Sequence, residues 1–237
     1  MSAETSASRF DFSQIAGKYE SWYETPIGRA FAAIEKRELE KTLRGMVTGT
    51  TNRLLEVGCG TGHFLKIFDK LGFRVFGVDL SREMLQEALR LEGGNHNLTR
   101  ADGHYLPFPR GSFDVCCALT TLEFTRKPDR VLAQMIECTR PGGRVVVISL
   151  NRRSLMAFLR RRRGSSTFLD ADLKSPSELR ALLDAQGRAR VFSTAFVLPF
   201  RGFLWLAGVL TALGRLLRLP FGDYLIGIVS IPMCKED

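Results

Sequence analysis

Three glycines at alternate positions, Gly58, Gly60 and Gly62 in "LLEVGCGTGHF", follow directly on a short apolar run. A strand that runs out into such a turn offers main chain without Cβ atoms. The first N–H groups of the next helix lie close by, so a nucleotide-like ligand can rest against the backbone. Two aspartates then follow in order. Asp79 ends "VFGVD", seventeen residues after Gly62, where a carboxylate accepts hydrogen bonds from both hydroxyls of a ribose. Asp102, in "RADGHYLPFP", is placed to receive the exocyclic amine of an adenine. Either acid alone also serves as a helix cap or turn former. The order of glycine loop, acid and second acid is what points to one adenosine. Dinucleotide enzymes carry GxGxxG, whereas this chain reads GxGxG with Thr61 between its last two glycines, a spacing that argues against nicotinamide or flavin.

Bringing the three loops together requires strands that all end on one edge. The predicted strands Arg53–Val57, Arg74–Val78, Asn97–Arg100, Phe113–Leu119 and Arg144–Leu150 alternate with predicted helices, the pattern of a mainly parallel sheet covered on both faces. The helices are Thr61–Leu71, Ser81–Leu91 with Ser81 as N-cap, and Pro128–Thr139 with proline at its first position. A turn at Pro141-Gly142-Gly143 enters the fifth strand. A capping box, Ser175 to Glu178, opens a helix that runs to about Gln186. Two last strands, Arg190–Val197 and Tyr224–Ile231, flank the apolar segment "RGFLWLAGVLTALGRLLRLP". With 237 residues and no repeat or long linker, one α/β domain with additions is expected.

The pieces "LLEVGCGTGHF", "VFGVDLSREML", "ADGHYLPFPRGSFDV" and "RPGGRVVVISL", in this order over about Arg53 to Leu150, resemble the class I S-adenosylmethionine-dependent methyltransferases. Within that group the chain looks most like the small-molecule branch (methyltransferase type 11) that includes the quinone-biosynthesis C-methyltransferases. Its opening "FDFSQIAGKYESWYETPIGRAF" is similar to the N-terminal cap of that branch. The resemblance implies a Rossmann-like, seven-stranded, mainly parallel α/β sheet with helices on both faces and an antiparallel last strand. It adds an N-terminal helical cap, 1–50, to a methyltransferase domain, 51–237, with a basic helix and loop at 151–174 and an apolar insertion at 201–220.

The cofactor implied is S-adenosyl-L-methionine. By the same resemblance Gly58, Gly60 and Gly62 line its methionine and ribose portion, with Thr61 in that loop. Glu56 organises the loop or faces the amino group. Asp79 takes the ribose, with Leu80 beside it in the site, and Asp102 and the backbone of Gly103 take the adenine. Leu119 lies beside the methionine part, and Tyr19 closes over the sulfonium end. His104 stands where the family more often has a small or acidic residue.

Methyl transfer from a sulfonium is a direct displacement, so alignment and exclusion of water do most of the work. A base matters only when the acceptor must lose a proton, and the candidates are Tyr23, His63, His104 and Glu123. Each also has a plain structural reading: Tyr23 as a cap-packing aromatic, His63 as a first-turn helix residue, Glu123 as a surface acid. Strand four is followed by "TTLEF", not by the NPPY-like turn used on exocyclic amines of bases, and no Pro-Cys nucleophile follows it. Cys116 and Cys117 lie inside that strand, where inert buried thiols are expected. No acidic cluster suggests magnesium, so no metal is expected.

Charge is concentrated. Eight arginines and no acid lie between Arg140 and Gly164, nearly the net +9 of the whole chain. "NRRSLMAFLRRRRG", 151–164, forms a short basic amphipathic helix whose partners are nucleic acid phosphate, anionic lipid or solvent. The uncharged run Gly202–Gly214 has thirteen residues, where a bilayer span needs about twenty. Its Phe203, Leu206, Ala207, Leu210, Leu213 and Leu217 recur at helical spacing opposite Thr211, Arg215 and Arg218. It packs as a core element, covers a greasy acceptor or lies in a membrane interface. Aromatics are not interleaved with the arginines, which disfavours RNA.

The five cysteines, Cys59, Cys116, Cys117, Cys138 and Cys234, have no CxxC spacing and fit reduced thiols in a cytoplasmic protein. The N-terminus lacks a secretory pattern. The expected acceptor is therefore a small hydrophobic molecule, with peripheral contact to the inner face of an anionic membrane. The other readings are an RNA methyltransferase and a binding protein that keeps the pocket but transfers nothing.

Overall fold

The computed structural model describes residues 8–46, 52–92, 96–163, 171–198 and 201–233. Cys234, the first seven residues, the end of the expected cap at 47–50 and most of the loop after the basic helix lie outside the described residues.

Seven strands form one sheet: β1 (Arg53–Val57), β2 (Arg74–Asp79), β3 (Asn97–Arg100), β4 (Phe113–Leu119), β5 (Thr139–Leu150), β6 (Ala189–Thr194) and β7 (Tyr224–Ser230). Their order is β3-β2-β1-β4-β5-β7-β6. β7 runs antiparallel to both of its neighbours, and every other pair is parallel. The order reverses between β1 and β4, so a crevice opens at the carboxyl ends of these two strands.

Side chains alternate across the sheet. Leu54, Val115, Cys117, Val146 and Ile226 face one core and Leu55, Cys116, Ala118, Val145 and Leu225 the other. The first core is closed by α3 (Pro26–Leu43) through Phe31, Ile34, Leu39 and Leu43, and by α4 (Leu65–Lys70) through Leu65 and Phe68. The second is closed by α6 (Pro128–Cys138) through Val131, Leu132 and Met135, and by α8 (Pro176–Asp184) through Leu179 and Leu183. α5 (Arg82–Glu92) follows β2, with Ser81 Oγ accepting from Met84 N as its cap. The capping box of Ser175 and Glu178 is present.

Ahead of the sheet lie a 3₁₀ turn at Phe12–Ile15 and the short helices α1 (Ala16–Tyr19) and α2 (Ser21–Glu24). Thr25 Oγ1 accepts from Gly28 N and caps α3, whose first residue is Pro26. The remaining helices are α7 (Leu155–Arg163) and α9 (Ala207–Leu216).

Beyond shifts of one or two residues, four differences from expectation appear. The helix after the glycine loop starts at Leu65, not Thr61, because Gly58, Gly60 and Gly62 all have positive φ, at 74°, 53° and 80°. Residues 58–64 are therefore a loop. β5 begins at Thr139; the Pro141-Gly142-Gly143 turn is absorbed as a bulge, since pairing jumps from Phe113↔Thr139 to Val115↔Arg144. β6 stops at Thr194, followed by Ala195 at a φ of 60°. The apolar run splits into a 3₁₀ turn, Arg201–Leu206, and α9.

Candidate active site

A cavity of about 290 Å³ opens over the carboxyl ends of β1, β2 and β4, close to the lower end of ligand clefts (roughly 300–1,000 Å³). Its floor is Gly58 and Gly60, and its sides are Asp79-Leu80-Ser81, Ala101 to His104 and Leu119 to Thr121. Tyr19 and the segment Phe10 to Ser13 form the roof. The roof is fixed to the far wall: Arg9 N donates to Phe124 O at 2.7 Å, and the Phe12 ring meets Phe124 edge-on at 4.9 Å.

The glycine loop is held from below by its own backbone. Gly58 N and Cys59 N both donate to Val78 O, at 2.8 and 3.0 Å. The glycines are bare for different reasons. A Cβ on Gly58 would come within 2.3 Å of the Thr121 side chain, whereas a Cβ on Gly60 would meet nothing within 4 Å. Close approach of a ligand is thus open at Gly60, while at Gly58 the space belongs to Thr121.

Asp79 is held at both oxygens. Gly60 N donates to Oδ2 at 2.8 Å and Ser81 N to Oδ1 at 2.9 Å. Each carboxylate oxygen keeps acceptor capacity for one more donor. Burial pushes its pKa above the ordinary aspartate value, and the N–H groups of Ser81, Gly60 and Leu80 pull it part of the way back. Asp102 Oδ1 accepts from His104 N at 2.9 Å and meets His104 Nδ1 at 2.6 Å. Nδ1 donates there when His104 is neutral, which leaves Nε2 an acceptor. Nε2 is buried and has no protein partner.

Of the sequence candidates, Tyr19, Gly58, Gly60, Asp79, Leu80, Asp102, Gly103, His104 and Leu119 line the cavity, and Glu56, Thr61, Gly62, Tyr23, His63 and Glu123 lie outside its lining. Glu56 is buried beneath the loop with Oε2 unpartnered. Burial, then the charge of Asp79, raises its pKa well above normal. Glu123 is not a surface acid: it is buried, and its Oε1 accepts from Leu150 N at 2.7 Å. Cys116 and Cys117 are buried as expected, and burial pushes the Cys116 thiol up to about 12.

Two groups escaped the sequence reading. Glu20 binds the back of the glycine loop, accepting from Thr61 Oγ1 at 2.5 Å and meeting His63 Nδ1 at 2.9 Å. Tyr23 stacks on His63, with centroids 3.6 Å apart. The second group is buried on α3. Glu35 hydrogen-bonds Tyr224, and burial pushes its carboxyl up to about 8 with the charge of Arg160 nearby. Its signal was legible: Glu35 and Glu38 share the stripe of Phe31, Ile34 and Leu39 on α3 and are buried with them.

Residues 55–147 match the family model Methyltransf_11, described as a methyltransferase domain. A malonyl-[acyl-carrier protein] O-methyltransferase of Serratia marcescens is 30% identical over 61% of this chain and 52% of its own length. The chain thus spans about half the length of that curated relative. An uncharacterized protein of Mycobacterium bovis is 32% identical over 78% of this chain and 64% of its own. A crystal structure of a SAM-dependent methyltransferase from Thermotoga maritima superposes with a TM-score of 0.70 at 20% identity, covering 92% of this chain and 97% of that one. Sheet order, cavity and family match agree: residues 55–147 carry a methyltransferase domain, and the sheet around them has the fold of the class I S-adenosylmethionine-dependent methyltransferases.

Proposed function

We propose that this protein transfers the methyl group of S-adenosylmethionine directly to a small, apolar acceptor. The observation that carries the reading is the join of Gly60 to Asp79: an open stretch of main chain and a ribose-directed carboxylate, tied at 2.8 Å at the switch point of the sheet. In this reading Asp79 binds the ribose hydroxyls, and Asp102 with the Gly103 backbone holds the adenine. Gly58, Gly60 and Leu119 border the methionine portion, and Tyr19 covers the reactive end. Glu56, Thr61 and Gly62 support the loop from outside the cavity. When bound, the cofactor supplies an electrophilic methyl on sulfur.

The chain's own part is to orient the acceptor and keep water out. Phe12, Tyr19 and Phe124 give the cavity an aromatic wall, which supports an apolar acceptor such as a quinone-like ring. Of the four groups considered as proton acceptors only His104 lines the cavity, and it is committed to Asp102 at the adenine end. No base is assigned among these four groups, and the chain's contribution rests on aligning the acceptor and excluding water. Residues 1–50 act as the cap of a methyltransferase domain that starts near residue 51, in a protein working in the cytoplasm.

Small molecules are favoured over RNA because the arginines do not form one outward stripe. Arg152 pairs with Glu178 at 2.7 Å, and Arg160 turns in over the Phe31 ring at 5.9 Å. The test is metabolite profiling of a deletion strain beside an overexpressing strain. A compound pair differing by one methylene, with the lighter member accumulating in the deletion, is expected; identical profiles together with no cofactor binding by calorimetry refute the proposal.

A further inference from the structure

The insertion helix α9 is packed inside out. Its small or polar residues face the domain: Ala207, Thr211 and Gly214 are buried. Thr211 Oγ1 accepts from Phe196 N at 3.0 Å, the ring of Phe196 fills the space beside Gly214, and Arg215 pairs with Glu38 of α3. Its apolar residues face outward. Val209, Leu213, Leu216 and Leu217 repeat at helical spacing on the exposed side, with Val209 63% and Leu216 77% exposed. Trp205, just before the helix, is 75% exposed. The sequence expectation of a core element holds for Ala207, which joins the core, and fails for Phe203, Leu213 and Leu217, which are exposed. The alternative of a cover for the acceptor fails as well, since no residue of 201–220 lines the cavity.

The segment that follows α9 is tied to the residue that precedes the basic helix. Asn151 Nδ2 donates to Pro220 O at 2.9 Å and to Gly222 O at 2.7 Å, which sets exposed Leu219 and Phe221 beside the start of α7. There Leu155 and Phe158 are exposed too, in company with exposed Arg153, Arg161 and Arg162. Both elements leave the sheet at its carboxyl edge: α7 follows the end of β5, the insertion follows the end of β6, and β7 starts back from that edge. An apolar strip with an aromatic at one end and guanidinium groups along its border matches an acidic lipid surface, whose headgroups take the charge and whose acyl boundary takes the strip. No described helix is long and apolar enough to cross a bilayer, so the strip lies along the surface.

We propose that the outward faces of α9 and α7 form a docking surface for anionic membrane, and that it presents the cavity edge of the sheet towards the bilayer. The inference goes beyond methyl transfer and does not depend on it. The full chain is sedimented with vesicles of phosphatidylcholine alone and with vesicles of equal parts phosphatidylcholine and phosphatidylglycerol, while tryptophan emission is followed. Binding is expected only to the acidic vesicles, with a blue shift that disappears in Trp205→Phe. Val209→Glu with Leu216→Glu, and separately Arg161→Gln with Arg162→Gln, should each lower binding at least tenfold while circular dichroism and cofactor affinity stay unchanged. No binding to acidic vesicles, equal binding to neutral ones, or binding indifferent to both variant pairs overturns the proposal. So does a concentration-dependent dimer that Val209→Glu with Leu216→Glu dissociates, since the face would then belong to a second copy.

Discussion

Thr121, in the loop after β4, fills the space that a side chain on Gly58 would need, with Cγ2 at 2.3 Å from the position of a Cβ. Gly60, two residues on, faces open space. One glycine is therefore required by packing and the other by access. Gly58→Ala combines left-handed strain of about 1–2 kcal/mol with overpacking of about 1–3 kcal/mol, and should destabilise the fold by roughly 2–5 kcal/mol in urea unfolding. Gly60→Ala carries the strain alone, so it should fold with a loss of about 1–2 kcal/mol yet bind S-adenosylmethionine more weakly. Equal stability losses for the two variants would contradict this division.

Asp79 is the hinge of the proposed cofactor site, since Gly60 N and Ser81 N fix its carboxylate from inside the protein. A hydrogen bond to a charged group contributes about 1.5–3 kcal/mol, so Asp79→Ala should lower cofactor affinity by roughly tenfold to a hundredfold in calorimetry. Asp79→Asn, which keeps one acceptor, should fall between. Burial raises the pKa of this carboxyl above 3.8, so affinity should already decline as acid pH is approached, before an ordinary aspartate would protonate. An unchanged affinity in Asp79→Ala refutes the ribose assignment.

The succession of strands along the chain and the placing of Asp79 and Asp102 at the cavity were readable because they rest on local signals: apolar runs, a glycine turn, an aspartate at or just after a strand end. What could not be read depends on partners distant in the chain. Thr121 lies sixty-three residues from Gly58, and nothing near the glycine announces it. The stripe on α9 was visible, but not its direction, because the residues that make the polar side the inner one, Phe196 and Glu38, belong to other segments. Glu20 has no spacing signature at all; its bonds to Thr61 and His63, which latch the first helices to the glycine loop, join residues more than forty apart in the chain.

That latch gives the third prediction. Burial raises the Glu20 carboxyl, but the hydrogen bonds from His63 and Thr61 outweigh it and leave the pKa below its ordinary value. A depressed acid stabilises the fold above its unfolded pKa, near 4.5, and loses that effect as pH falls through the lower, folded value. Glu20→Ala should therefore free the cap from the glycine loop at neutral pH. Hydrogen exchange of residues 12–24 should quicken, and cofactor affinity should fall, while the strands stay protected. If exchange in the cap is unchanged, the latch carries no energy.

Glu35 has the opposite sign. Its partners are Tyr224 and the charge of Arg160, yet burial dominates and holds the carboxyl at about 8 against an ordinary 4.5. Between these values the folded chain keeps a proton that the unfolded chain has released, so stability is full below about 4.5 and drains away as pH rises through 8. One such group contributes a slope of at most about 1.4 kcal/mol per pH unit. Glu123, held at about 7, and Asp223, at about 6, act in the same direction, so the wild-type slope alone cannot be assigned. The difference between wild type and Glu35→Gln can. The amide keeps a donor and an acceptor for Tyr224 but has no proton to lose, so the variant should match wild type near pH 5 and exceed it in thermal unfolding at pH 8. Parallel curves across that range would mean that the buried carboxyl is already ionised, balanced by Arg160.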